Sequence, residues 1–219
     1  MSILVELRKT SAGYAGNAVL HDIDLAIKQG ERVAVLGRSG AGKSTLLNVL
    51  YEHLADRVAL IPQAAALVKT LSVFHNVYMG RLDRTPTWHN LRTLAWPARR
   101  DVAEINGVLD LVGLADKLFA RAGTLSGGQQ QRTSVARALY SGRSTVIGDE
   151  PVSALDRAQG AEILGKLCAR HETAILAMHD IPLALAHTDR VVVIENGRIV
   201  LDAPARALSA ADLVPYYAG

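Results

Sequence analysis

The sequence predicts an α/β fold: a parallel sheet at the centre, an antiparallel β edge and an inserted helical stretch. Three observations lead to this class. Residues 32–36, Arg-Val-Ala-Val-Leu, form a short apolar run that stops at Gly37, as a buried parallel strand does. From residue 145 onward, short apolar runs alternate with helical spacings, the mark of strand–helix–strand units. Between about 68 and 122 the periodicity turns helical, with prolines at 86 and 97.

Each element has its own signal. Residues 3–7 and 20–27 alternate apolar and polar, and Gln29-Gly30 is a turn signal, so the start of the chain reads as β-rich. Leu46, Leu47, Leu50 and Leu54 recur on one face of a helix expected over 44–54. Residues 57–61 are a further strand. In the helical stretch, Val102, Ile105, Leu109 and Val112 share a face. A helix is expected over 130–139, strands over 145–148 and 173–178, and a helix over 157–170. Residues 190–195 and 198–201, joined by Asn196-Gly197, read as a hairpin with a primed turn.

Composition narrows the function classes. With 49% hydrophobic and 21% charged residues, the 219-residue chain is an ordinary globular sequence, which excludes disorder as its main state. We expect one domain over 1–219, with a core formed by 1–67 and 123–219 and a helical part at about 68–122. A net charge of +3 without a dense basic run argues against nucleic acid as a partner. The single cysteine, Cys168, excludes an internal disulfide and suits a reducing compartment. The first residues lack the pattern of a secretory signal, and no apolar run reaches the roughly 18 residues of a membrane span. A cytoplasmic location is expected, with any membrane attachment supplied by a partner.

Residues 37–44, Gly-Arg-Ser-Gly-Ala-Gly-Lys-Ser, fit the pattern GxxxxGK[ST] between an expected strand and an expected helix. Backbone N–H groups of Gly37, Arg38, Ser39, Gly40, Ala41, Gly42 and the first helical residues through Thr45 can curl around phosphates at a positive helix start. Lys43 would reach the β- and γ-phosphates and Ser44 would ligate Mg²⁺. Asp149 and Glu150 follow a strand about 105 residues later. Such a pair can set one carboxylate beside the metal and the other beside an attacking water. Ser126-Gly127-Gly128-Gln129 opens a second helix fit to receive an anion. Two phosphate-binding helix starts with one lysine-bearing loop are reconciled by a head-to-tail homodimer, each loop facing the partner's Ser-Gly-Gly.

In this order the motifs resemble the ATP-binding cassette (ABC) ATPases over nearly the whole chain. The resemblance implies a P-loop NTPase core with an antiparallel β edge and an inserted helical subdomain, and ATP with Mg²⁺ as cofactors. It implies that Tyr14 stacks on adenine and that Gln63, in Ile-Pro-Gln, touches Mg²⁺ and the nucleophilic water. It also implies that Asp156, in Ser-Ala-Leu-Asp, lies at the dimer interface and that His179 contacts the γ-phosphate. Glu150 then orients or deprotonates the water, Lys43 and the metal stabilise charge on the phosphates, and Ser126 and Gly128 of the partner complete the site. The chain departs from the family between Thr45 and Gln63, where only residues 46–62 intervene. In most relatives this interval is about twice as long and holds a further β element, so a shortened β subdomain is expected. Gly148 stands where relatives usually have alanine.

The segment 71–91, with Gly80-Arg-Leu and Thr85-Pro-Thr-Trp88, resembles the ATPases of phosphonate importers. That resemblance implies permease subunits as partners, a solute-binding protein indirectly, and a peripheral position on the inner face of the membrane. The alternative is a non-transport ABC ATPase acting within a soluble, phosphonate-processing complex. Phe74, Tyr78, Trp88 and Trp96 place four of the ten aromatics within 23 residues. They either anchor an interface or pack the helical segment's own core.

Overall fold

The computed structural model describes residues 2–14 and 17–217. Strand β1 (Ile3–Tyr14) and β2 (Asn17–Lys28) pair as an antiparallel two-stranded sheet. A six-stranded sheet follows, built from β3 (Arg32–Leu36), β4 (Val58–Ile61), β5 (Thr145–Asp149), β6 (Thr173–Ala177), β7 (Arg190–Glu195) and β8 (Arg198–Pro204). Its order is β4-β5-β6-β3-β7-β8, parallel throughout except for β8. The helices are α1 (Lys43–Leu54), α2 (Val73–Tyr78), α3 (Thr87–Ala95), α4 (Arg99–Leu111), α5 (Gly127–Ser141), α6 (Arg157–Arg170), α7 (Ile181–His187) and α8 (Ala210–Leu213).

The period of two in the parallel strands divides the interior into two cores. Val33, Val35, Ile147, Ile175, Val192 and Ile194 point to one face, where α1 contributes Leu46, Leu47 and Leu50, and β1–β2 contribute Val5, Leu7, Ile23 and Leu25. Ala34, Leu36, Val146, Leu176, Val191 and Val193 point to the other, under α5, α6 and α7. The helices between residues 68 and 122 extend this second core: Phe74 and Val77 of α2 and Ile105 and Leu109 of α4 pack with Val135 and Leu139 of α5.

The fold class agrees with expectation, and several elements are longer than their local signal. β1 and β2 run well beyond 3–7 and 20–27, because register shifts between Leu7 and Thr10 and between Thr10 and Ala12 break the alternation. Left-handed backbone at Lys9 (φ 44°) and Asp22 (φ 50°) marks the same irregularity. α5 starts at Gly127 rather than at residue 130, since Ser126 caps it. The hairpin turn has positive φ at both Asn196 (47°) and Gly197 (72°), as a type I′ turn requires. The four aromatics divide: Phe74 and Tyr78 are buried, whereas Trp88 and Trp96 are exposed.

Candidate nucleotide site

The site lies at the carboxyl end of the parallel strands, where open α/β sheets present their ligand crevice. β3 ends at Leu36, and the loop 37–42 carries the chain into α1. Gly42 precedes the helix with φ 110°, and the first turn of α1 offers N–H groups that have no acceptor within the helix. A cavity there is lined by Ser39, Gly40, Gly42, Lys43, Ser44, Thr45, Gln63, Glu150 and His179. Residues from β3–α1, the loop after β4, the end of β5 and the end of β6 thus meet at one place.

Lys43 is buried, and its Nζ donates to the carbonyls of Gly37 (2.8 Å) and Arg38 (3.0 Å). Burial pushes its pKa down, while Glu150 and Asp149 act in the opposite direction. The Glu150 carboxylate is the polar centre of the cavity. Its Oε1 lies 2.6 Å from His179 Nε2 and receives a longer bond, 3.5 Å, from Gln63 Nε2. Asp149, one residue earlier on β5, has a buried Oδ1 with no hydrogen-bond partner.

The remaining expected residues fall elsewhere. Arg38 and Ala41 line the outer side of the loop with Asn196 and Tyr216. Tyr14 is exposed, and its hydroxyl accepts from Asn48 Nδ2 of α1 at 2.9 Å. Ser126 and Gln129 form a capping box at the start of α5: Gln129 N donates to Ser126 Oγ (3.3 Å), and Ser126 N donates to Gln129 Oε1 (3.0 Å). Gly127 and Gly128 follow as the first residues of α5, outside the cavity. Asp156 caps α6 by accepting from Gln159 N at 3.0 Å, and it borders an adjoining cavity with Glu150 and His179.

Two residues of α5 escaped the sequence reading. The amide of buried Gln131 donates to the Glu150 carbonyl (2.6 Å) and accepts from Ala154 N (2.8 Å). Arg137 donates to the carbonyls of Ala66 (2.9 Å) and Ala65 (3.0 Å), just past Gln63. Gln131 had one available signal: it lies four and seven residues before the buried Val135 and Ala138, a polar residue on an apolar stripe.

Comparison with known proteins gives the family and the fold. A family profile described as "ABC transporter" matches residues 20–153. The chain belongs to the ABC transporter ATP-binding family. The cassette is 37% identical over 238 aligned positions to a protein of Anaeromyxobacter dehalogenans named "Phosphonates import ATP-binding protein PhnC". That alignment covers 96% of the cassette and 47% of the relative, so the chain spans about half the length of that protein. A phosphonates import ATP-binding protein of Pseudomonas syringae pv. tomato is also 37% identical, over 93% of the cassette and 87% of the relative. Among solved structures, a nucleotide-free ATP-binding cassette superposes with a TM-score of 0.77 at 20% identity, covering 99% of both chains. A dimeric cassette bound to ADP and Pi gives 0.80 at 23% identity, covering 93% of this chain and 99% of that one. As a family member, the cassette is an ATP-binding domain.

Proposed function

We propose that the cassette is the ATP-hydrolysing subunit of a membrane importer for phosphonate or a related oxyanion. The observation that carries this reading is the meeting of Lys43, Gln63, Glu150 and His179 on one cavity beside a helix start. In the closed homodimer, Ser126 and Gly128 of the partner complete the phosphate site, and Tyr14 stacks on the adenine. Glu150 orients the attacking water and accepts its proton, and His179 holds the carboxylate and meets the γ-phosphate. Lys43 leaves the Gly37 and Arg38 carbonyls for the phosphates, where its charge stabilises the leaving group. Asp156 sits at the dimer interface, on the cavity it shares with Glu150.

Oxygen donors from Ser44, Asp149 and Gln63 suit a hard cation, and the orphaned Asp149 Oδ1 is a lone pair available to one. These three residues would hold Mg²⁺, which supplies charge neutralisation at the phosphates when bound.

The oxyanion assignment rests on the names of the relatives and on the 71–91 segment. Attachment to a permease is supported by α3, whose Trp88 (65% exposed) and Leu91 (68%) face solvent while its polar residues hold it to the fold. His89 meets Asp101 at 2.9 Å, and Asn90 accepts from the Tyr78 hydroxyl at 2.9 Å. No helix among the described residues is long and apolar enough to cross a membrane. In this reading the permease holds the cassette on the cytoplasmic face. We read residues 68–122 as the helical part of one domain spanning 1–219.

Glu150→Gln tests the catalytic reading. Hydrolysis should be lost while ATP binding persists, and size-exclusion chromatography with Mg-ATP should show a trapped dimer. A strictly monomeric variant with normal hydrolysis defeats it. Mild-detergent capture of the tagged chain from its native cells tests the importer reading: a multi-span permease is expected, and recovery of soluble enzymes alone defeats it.

A further inference from the structure

We infer that Gln131 is a positioning residue for hydrolysis: through it α5, the helix that opens with Ser126, holds Glu150 in its working conformation. The inference deepens the proposed role of Glu150 and rests on it.

Six non-glycine residues among those described have positive φ, and three of them lie in the two loops that border the cavity: Ala65 (50°), Ala66 (43°) and Glu150 (52°). Side chains rarely adopt this backbone, and residues held in it cluster where geometry serves function. All three present their carbonyls to side chains of the same helix. Glu150 O accepts from Gln131 Nε2, and Ala65 O and Ala66 O accept from Arg137. The two side chains are six residues apart, about 9 Å along the helix axis. One rigid rod therefore fixes both the loop that carries Gln63 and the loop that carries Glu150.

Gln131 does more than cap a carbonyl. Its Nε2 also donates to Ser153 Oγ (3.1 Å), and its Oε1 accepts from Ala154 N (2.8 Å). The amide thus closes the turn 150–154 from inside. Glu150 N donates to Ala177 O of β6 (3.0 Å), so the residue is pinned at both ends of its left-handed backbone. A displacement of α5 reaches the carboxylate through this bond. Because α5 begins at the Ser126 end, which the dimer reading places against the partner's nucleotide, the bond links occupancy of one site to the geometry of the other.

Two substitutions test this on the full chain. Gln131→Glu keeps the acceptor for Ala154 N but puts a carboxylate oxygen against the Glu150 carbonyl; Gln131→Met removes all three side-chain bonds at nearly constant volume. We expect kcat for ATP to fall about tenfold or more while the Kd of a fluorescent ATP analogue stays within about threefold. A purely structural role would instead lower thermal stability and weaken ATP binding together with kcat. If both folded variants keep kcat within about twofold while Glu150→Gln abolishes hydrolysis, this inference is wrong and the reading of Glu150 stands. If Glu150→Gln itself hydrolyses ATP normally, both fail.

Discussion

Gly197→Ala should be one of the most disruptive single-methyl additions in the cassette. Gly197 sits at the tip of the β7–β8 hairpin with φ 72°, buried against β2. A Cβ built there lies 1.9 Å from the Val19 carbonyl oxygen, which is backbone and cannot rotate away. Forcing an alanine into left-handed backbone costs about 1–2 kcal/mol. Relieving the overlap means moving β2 and the hairpin apart, at about 1–3 kcal/mol for an overpacked site. The same displacement stretches the bonds from His21 N to Gly197 O (2.8 Å) and from Gly197 N to Ala41 O (3.1 Å). Since relief of the overlap and loss of the bonds are one motion, the costs overlap, and we expect about 3–4 kcal/mol in all. Gly142→Ala is the control: its φ is 65°, and the atoms nearest its built Cβ are the ends of Arg84 and Arg81, at 3.7 and 3.8 Å. It should lose only the backbone cost, about 1–2 kcal/mol. Urea denaturation, read as a midpoint shift at constant slope, gives both numbers. Binding of a fluorescent ATP analogue should weaken in Gly197→Ala alone, because Val19 lines the nucleotide cavity and Ala41 belongs to its loop. Equal destabilisation by the two substitutions would refute the collision argument.

Three further outcomes are expected. His171 is buried, and desolvation depresses its pKa against the opposing pull of the Leu167 and Ala138 carbonyls. As pH falls through about 6.5 the unfolded chain takes up this proton first, so stability drops; His171→Asn should flatten that acid-side slope in thermal melts at pH 7 and pH 5, and an unchanged slope would dismiss the residue. Cys168 is buried with its thiol pKa raised by burial, so iodoacetamide should label it in urea and spare it in the folded protein; rapid native labelling contradicts this. Tyr217→Phe removes the hydroxyl that accepts from Gly37 N at 3.3 Å and should cost about 0.5–1.5 kcal/mol in denaturation; no loss would show that this contact is idle.

What the sequence made legible was whatever depends on neighbours in the chain. The apolar run before Gly37, the leucine spacing after it and the paired acids at the end of β5 are local patterns, and each lands where its pattern implies. Ser126 was legible for the same reason, since a cap is decided within four residues. The full reach of β1 and β2 was hidden because bulges at Lys9 and Asp22 interrupt the alternation that reveals a strand. Gln131 and Arg137 were hidden for a different reason: their partners, Glu150 and Ala65–Ala66, lie 19 and about 71 positions away, and no period in the sequence links them. Phe74 and Trp88 are chemically alike, and their opposite fates follow from position: Phe74 lies where α2 packs on α5, whereas α3 is held through His89 and Asn90 and leaves Trp88 exposed.

The place of β3 in the sheet has a consequence for how the protein is made. This strand delivers the phosphate loop, yet its two neighbours, β6 and β7, pair Ala174 with Arg32 and Arg190 with Val33, 142 and 157 positions downstream. A growing chain on the ribosome therefore exposes the loop's strand long before anything can flank it. At about 5–20 residues per second, that interval lasts on the order of ten seconds. Throughout it, an apolar strand and its leucine-faced helix stand without their sheet, which makes the nascent chain a candidate for chaperone capture. Such long-range closure also implies slow refolding. Competence to hold nucleotide should thus emerge late and all at once, with the arrival of residues 173–195.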